Sequence, residues 1–374
     1  MTTKLRALIC LCGIAPPLAL ASWGQQTGPK VATAPKTATP ATTETGKEAS
    51  DSLPHNRLHT ELMKINSEFA EVFLEPLRCD ADGNLYLRTD PSGVGAIHKL
   101  NGKGEQVALF EPTSTDIKID FPASFAIAPD GIVYQLIIAH EITRYVFAYN
   151  RDGSVKSQIK LQKPGLAFFP STIAVFTNGD LLLSGLEHDK DRNNQVMWPF
   201  TGIFSPDGTL RRELTLKDDL SIHDMAASGD PKVTSPESPS GNRAVSLGAV
   251  ETGADGNVYL MRRLSPAIFY AISPGGSVRR FEVDPGQQDF LPSAMHVVGN
   301  RIAILFWQPQ THEEILKVVD LQGREIATYD EAAEKDGGHA LGLAFICYTT
   351  TPERFTFLET MDDNKLGLIT ATPE

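Results

Sequence analysis

Cysteine is scarce in this chain: of 374 residues only four are Cys, and two of these, Cys10 and Cys12, fall within the first dozen positions. Cys79 and Cys347 are left for the body of the chain, enough for one intramolecular bridge and no disulfide framework. Basic charge is also short, with 34 Lys and Arg against 46 Asp and Glu, a formal net charge of −12. Such a chain is not drawn to nucleic acid or to an anionic membrane surface. Beyond the first two dozen residues no apolar run approaches 18, which excludes a stable membrane-spanning helix in the body. Catalytic signatures are missing too. There is no Gly-x-Ser-x-Gly elbow and no phosphate loop, and Gly93-Val94-Gly95 followed by His98 is no dinucleotide fingerprint. His140-Glu141 is followed by Ile-Thr-Arg, so no His-Glu-x-x-His is present.

The N-terminus is present as an address. Lys4 and Arg6 precede an apolar run from Ala7 to Ala21, which closes on Ala19-Leu20-Ala21 ahead of Ser22, the small-x-small pattern of a signal peptidase site. Fifteen residues at about 1.5 Å each span only about 22 Å of a roughly 30 Å hydrocarbon layer, so a secretory signal over 1–21 is expected rather than an anchor. Its removal takes the formal charge from −12 to −14 and leaves a secreted or periplasmic chain. Residues 22–55 are rich in Thr, Ala, Pro and Lys with almost nothing large to bury, and read as a disordered tether. The folded part is expected over 56–374.

A repeat organises that part. Asp82-Gly83-Asn84, Asp130-Gly131, Asn178-Gly179-Asp180, Asp255-Gly256-Asn257 and Gly299-Asn300 each precede an apolar β-forming run, and Thr351-Pro352-Glu353-Arg354 is a degenerate sixth copy. A second turn follows each of the first five: Gly102-Lys103-Gly104, Asp152-Gly153, Asp207-Gly208, Gly275-Gly276 and Gln322-Gly323. The first turns step by 48, 48, 77, 43 and 53 residues, the long step containing a Ser/Pro/Gly-rich insertion over 217–242. Phe121-Pro122-Ala123-Ser124, Phe169-Pro170-Ser171-Thr172 and Leu291-Pro292-Ser293-Ala294 recur at matching phase where each unit's first strand begins. Four antiparallel strands repeated six times predict an all-β, six-bladed β-propeller. The last unit has room for three strands only, so its fourth is expected from residues 59–73, joining the two ends of the domain in one blade; the competing reading of that segment is a short amphipathic helix, with Leu58, Leu62, Ile65 and Phe69 at helical spacing.

The Asp-Gly-Asn-Val-Tyr-Leu phrase resembles the repeat of the six-bladed NHL and SMP-30-like (TolB-like) propellers, over residues from about 60 to 374. That resemblance implies the architecture and leaves function open, since such propellers include calcium-dependent lactonases, a peptide-processing lyase and binding modules. In the lactonases an acidic residue near the start of an early blade works with Asn and Asp partners facing the channel. Glu75 and Asp80 are what unit one offers, while the other first strands offer mostly apolar residues, Ser and His296, a departure from that pattern.

Four-stranded units place both kinds of Gly turn on one face and put the two-to-three loops and inter-blade connections on the other. The insertion at 217–242 and the widened 187–199 loop both fall on the second face, where recognition is expected. Its chemically capable residues are His140, Glu141, Glu187, His188, Arg262, Arg263, Trp307 and His339. The leading expectation is a binding or scaffold module for a protein or a carbohydrate, with no cofactor. The alternative is a metal-dependent hydrolase or lyase at the channel mouth, taking a divalent ion such as Ca or Zn through His140, Glu187, His188, Asp189, Asp191 and His223. Asp189-Lys190-Asp191 opens like a calcium loop, but its twelfth position is Phe200 where a bidentate Glu is needed. Cys79 and Cys347 lie at similar depth on the innermost strands of neighbouring units. Because those strands diverge from hydrogen-bonding distance and a bridge needs Cα atoms within roughly 7 Å, two buried free thiols are expected.

Overall fold

The computed structural model describes residues 56–64, 73–89, 95–140, 143–164, 167–188, 198–217, 219, 245, 248–330, 341, 344–360 and 366–374. The signal and tether expectations lie outside them. The regular elements of the described residues are 24 strands in six four-stranded antiparallel sheets, a six-bladed β-propeller. A first strand β1 (Leu58–Lys64) belongs to the last blade. Blade 1 is β2 (Phe73–Cys79), β3 (Leu85–Thr89), β4 (Ile97–Leu100) and β5 (Gln106–Phe110). Blade 2 is β6 (Ile119–Ile127), β7 (Val133–Ala139), β8 (Thr143–Tyr149) and β9 (Val155–Lys160). In blade 3, β10 (Ala167–Val175), β11 (Leu181–His188), β12 (Trp198–Phe204) and β13 (Leu210–Glu213) follow. Blade 4 comprises β14 (Ala249–Thr252), β15 (Val258–Arg262), β16 (Ala267–Ile272) and β17 (Val278–Val283). Blade 5 has β18 (Leu291–Val298), β19 (Arg301–Trp307), β20 (Glu314–Asp320) and β21 (Glu325–Asp330). Blade 6 has β22 (Ala344–Thr350), β23 (Glu353–Thr360) and β24 (Leu366–Pro373), with β1 paired to β24 from Leu58↔Pro373 to Lys64↔Gly367. The N-terminal strand expected from 59–73 is thus β1.

The core is not one mass but six, each between two consecutive blades. Leu136 and Val146 of blade 2 pack on Ile173, Leu183 and Phe204 of blade 3, and equivalent clusters lie at every other junction. Between blades 6 and 1 the cluster joins Ile346, Leu358 and Leu368 to Leu77, Leu85 and Leu87, which closes the ring. Middle strands bury both faces and therefore read as unbroken apolar runs: every residue of β15 and β16 is buried. Outer strands such as β9 expose most of theirs and carry the charge.

The repeated Pro tetrapeptide has a structural cause. It lies inside the innermost strand at a β-bulge, where the register skips Ala123, Ser171 and Ser293. An innermost strand has a free edge on the channel, so the missing N–H of Pro costs no ladder bond, and the bulge bends the strand around the axis.

The turn glycines work twice. All ten have positive φ, between 58° and 91°. Four second-turn glycines, Gly153, Gly208, Gly276 and Gly323, also admit the preceding blade: a Cβ on Gly153 would lie 1.9 Å from the Leu109 carbonyl oxygen, and one on Gly208 2.2 Å from that of Lys160.

The expectation of free thiols is corrected. Cys79 and Cys347 form a disulfide with Cα atoms 5.3 Å apart. Blades radiate from the axis, so their innermost strands are where neighbours come closest, and β2 and β22 make contact although no hydrogen bond joins them. Side chains from that pair can therefore meet where backbones do not.

Candidate functional site

The strand order brings to one face the strand ends that bound the two insertions, those of β11 and β12 in blade 3 and those of β13 and β14 between blades 3 and 4. Of the residues expected to act there, Glu141, Asp189, Asp191, His223 and His339 lie outside the described residues, as does the side chain of His188 at the end of β11. The others are distributed around the face. His140 is exposed, its backbone N–H donating to the Lys118 carbonyl at 2.9 Å. Glu187 is 5 % exposed and paired with the Lys163 ammonium at 2.6 Å, and that ammonium also sits over the Phe200 ring.

Arg262 is 1 % exposed. Its Nε and Nη2 donate to the two Asp219 carboxylate oxygens at 3.1 and 2.7 Å, and Nη1 donates to Ser184 Oγ at 3.0 Å. Nη2 also donates to Thr201 Oγ1 at 3.2 Å. This guanidinium therefore fastens the first residues of the 217–242 insertion to blades 3 and 4. Arg263 next to it donates through Nη2 to the Ser293 carbonyl of blade 5. Trp307, half-buried at the end of β19, stacks on His312 with centroids 6.1 Å apart.

An open cavity of about 410 Å³ lies between blades 4 and 5, with Arg263 two residues before its Ser265 wall and Trp307 two before its Pro309 wall. Its walls are Ser265 from the two-to-three loop of blade 4, Gln288, Asp289 and Leu291 from the inter-blade connection and the start of β18, and Pro309 and Gln310 from the two-to-three loop of blade 5. Leu291 pairs directly with Trp307 across β18 and β19, which sets the indole on the same side of the sheet as a wall of the cavity. The loop beneath is held by bonds from Gln308 N to Glu313 O and from His312 N to Gln308 O, both 2.9 Å.

A second constellation lies in the channel, near the face of the Gly turns. Arg78 of β2 reaches across the ring, donating through Nη1 to Glu251 Oε1 and through Nη2 to the Val250 carbonyl at 2.6 Å. The other carboxylate oxygen accepts from Val297 N at 2.6 Å, and His296 Nδ1 lies 3.0 Å from Oε1. His296 Nε2 lies 3.3 Å from the Phe345 carbonyl of blade 6, and its ring meets that of Phe345 edge-on. Four blades are tied together, beside a small cavity of about 110 Å³. Burial alone would raise the Glu251 pKa, but the charges of His296 and Arg78 and the bonds from His296 and Val297 outweigh it and hold the carboxyl at about 2. The cluster was missed in the sequence although a signal existed. Arg78 and Glu251 each stand five residues before their turn glycine, the same phase on strands that are otherwise largely apolar.

Asp80 is engaged within the first turn of blade 1. Its oxygens accept from Asn84 N at 2.9 Å and the Tyr86 hydroxyl at 3.0 Å, and its pKa falls despite burial because of the Asn84 and Lys99 bonds. In blade 4, Asp255 takes the Tyr259 hydroxyl at 2.7 Å, so in both copies the tyrosine closes the turn, onto the Asp of the Asp-Gly-Asn phrase in blade 4 and onto the Asp two residues before it in blade 1. Among the described residues no three His, Cys, Asp or Glu side chains gather to hold a metal ion.

No family model matches the chain, and no curated protein matches it. Among solved structures it is similar to a protein of Bacteroides fragilis described as exported, at 12 % identity and a TM-score of 0.54, over 85 % of this chain and 95 % of that one. It is also similar to a Bacteroides caccae protein of unknown function, at 13 % identity and a TM-score of 0.42, over 68 % and 80 % of the two chains. The likeness to the Bacteroides fragilis protein speaks to the fold alone.

Proposed function

We propose that the chain is an exported binding module whose ligand sits on the face of the two-to-three loops and inter-blade connections. The observation that carries this is the open depression of about 410 Å³ between blades 4 and 5 on that face. Both enlarged loops share the face, whereas the opposite one is built from tight Gly turns. The channel offers less, being crossed by Arg78 and Glu251. Export is supported by the leader-like first 21 residues and by the Cys79–Cys347 bridge, which persists in an oxidising compartment. The Asp-Gly-Asn hairpin phrase supports kinship with NHL and SMP-30-like propellers. Among the described residues no helix is long and apolar enough to cross a membrane.

The test is site-directed photo-crosslinking in the exported fraction of the source cells. A crosslinker replacing Gln310 on the loop face should form adducts, and one replacing Gln322 on the turn face should not. Adducts from Gln322 with none from Gln310 would refute the assignment.

A further inference from the structure

The cavity between blades 4 and 5 has a chemistry more specific than its location. Its polar groups are two amides, Gln288 and Gln310, the Ser265 hydroxyl and the Asp289 carboxylate, and no cation is among its lining residues. An amide or carboxylate can pair with two adjacent hydroxyls at once, so this set suits a ligand rich in neutral hydroxyls, while the neighbouring Arg263 guanidinium is engaged with the Ser293 carbonyl. The apolar part consists of Leu291, which is 38 % exposed, Pro309, and the Trp307–His312 stack beside them. Such a surface receives the C–H face of a pyranose ring while the amides and carboxylate take its edge.

The backbone singles out the same place. Among the described residues only two that are not glycine have left-handed φ, Asp289 at 66° and His312 at 63°. One lines the cavity and the other supports the indole at its edge. Asp and His tolerate this region better than most residues, yet it remains a costly conformation that clusters at ligand sites. The loop carrying His312 is held by its own hydrogen bonds, so the groove is formed before a ligand arrives.

We infer that the groove of Ser265, Gln288, Asp289, Leu291 and Gln310, with Trp307 at its edge, is a binding site for a neutral oligosaccharide. The inference rests on the loop-face reading above and narrows it to one class of ligand at one place.

The experiment presents the folded chain to an array of neutral and acidic oligosaccharides and follows any neutral binder by calorimetry. Binding of a neutral glycan is expected. It should weaken at least tenfold in the Gln288→Ala/Gln310→Ala double variant and in Asp289→Asn, which keeps a residue at ease with positive φ, and stay unchanged in Gln322→Ala. Trp307 fluorescence should shift with the same affinity. An array without neutral binders overturns the inference, as does glycan binding that the groove variants leave intact. Adducts at Gln310 together with an empty array would sink the saccharide inference while the loop-face reading stood.

Discussion

Glu251 shows how a single side chain can organise a ring that no single strand spans. It accepts from Arg78 of blade 1, faces His296 of blade 5 and takes the backbone N–H of Val297. Its pKa is held near 2 in the fold against an ordinary 4.5. A depressed folded pKa contributes stability above the unfolded value and loses it as pH falls through the folded one. The contribution, about 3 kcal/mol at neutral pH from a depression of that size, should therefore fade between about pH 5 and pH 2. Denaturant titrations at stepped pH should show the wild type converging on Glu251→Gln as acid is added; parallel curves would mean that the carboxylate is not held ionised. Arg262, read from the sequence as a ligand contact, is likewise a fastener: its partners Asp219, Ser184 and Thr201 lie 43, 78 and 61 positions away, and no local pattern announces them. Arg262→Ala would leave Asp219 buried without its cation and should cost about 3–5 kcal/mol of stability in a melt. A loss below about 1 kcal/mol would return Arg262 to the ligand-contact reading.

At the scale of the element, the blade was legible because its punctuation is local. A turn that needs positive φ selects glycine, and a strand buried on both faces selects an apolar run, so the six units could be counted from Gly83, Gly131, Gly179, Gly256, Gly299 and Pro352. The contacts between elements were not legible in the same way. That Gly153 abuts the Leu109 carbonyl follows from how blade 2 leans on blade 1. Three glycine-to-alanine variants separate the two roles. Gly102 has nothing within 4 Å of an added Cβ and no positive φ, and its substitution should be neutral to within about 0.5 kcal/mol. Gly299 has φ of 58° and equally open surroundings, so alanine there should cost about 1 kcal/mol. Gly153 adds the carbonyl clash to a φ of 91° and should cost about 3 kcal/mol or more. Equal losses at Gly299 and Gly153 would show that blade packing plays no part.

For the whole molecule, the ring is what turns a list of loops into two faces. The functional reading depends on blade 1 neighbouring blade 6 and on β1 completing that blade. The chain closes the ring with the β1–β24 ladder, with the parallel bridge of Asn56 to Tyr329 of blade 5, and with the disulfide. The disulfide was not legible in the sequence because its two strands share no hydrogen bonds, and ladder spacing is silent on side chains that meet between the innermost strands of adjacent blades. Linking residues 268 positions apart, it should restrain the unfolded chain by about 5 kcal/mol on the loop-entropy account, so reduction should lower the melting temperature without abolishing the β-sheet signal. The join between blades 1 and 6 is tested most directly by mass spectrometry of a non-reduced proteolytic digest. The bridged ring predicts a linked pair of peptides carrying Cys79 and Cys347, which separates on reduction; recovering the two as free, alkylatable thiols from the exported protein would contradict that bridge.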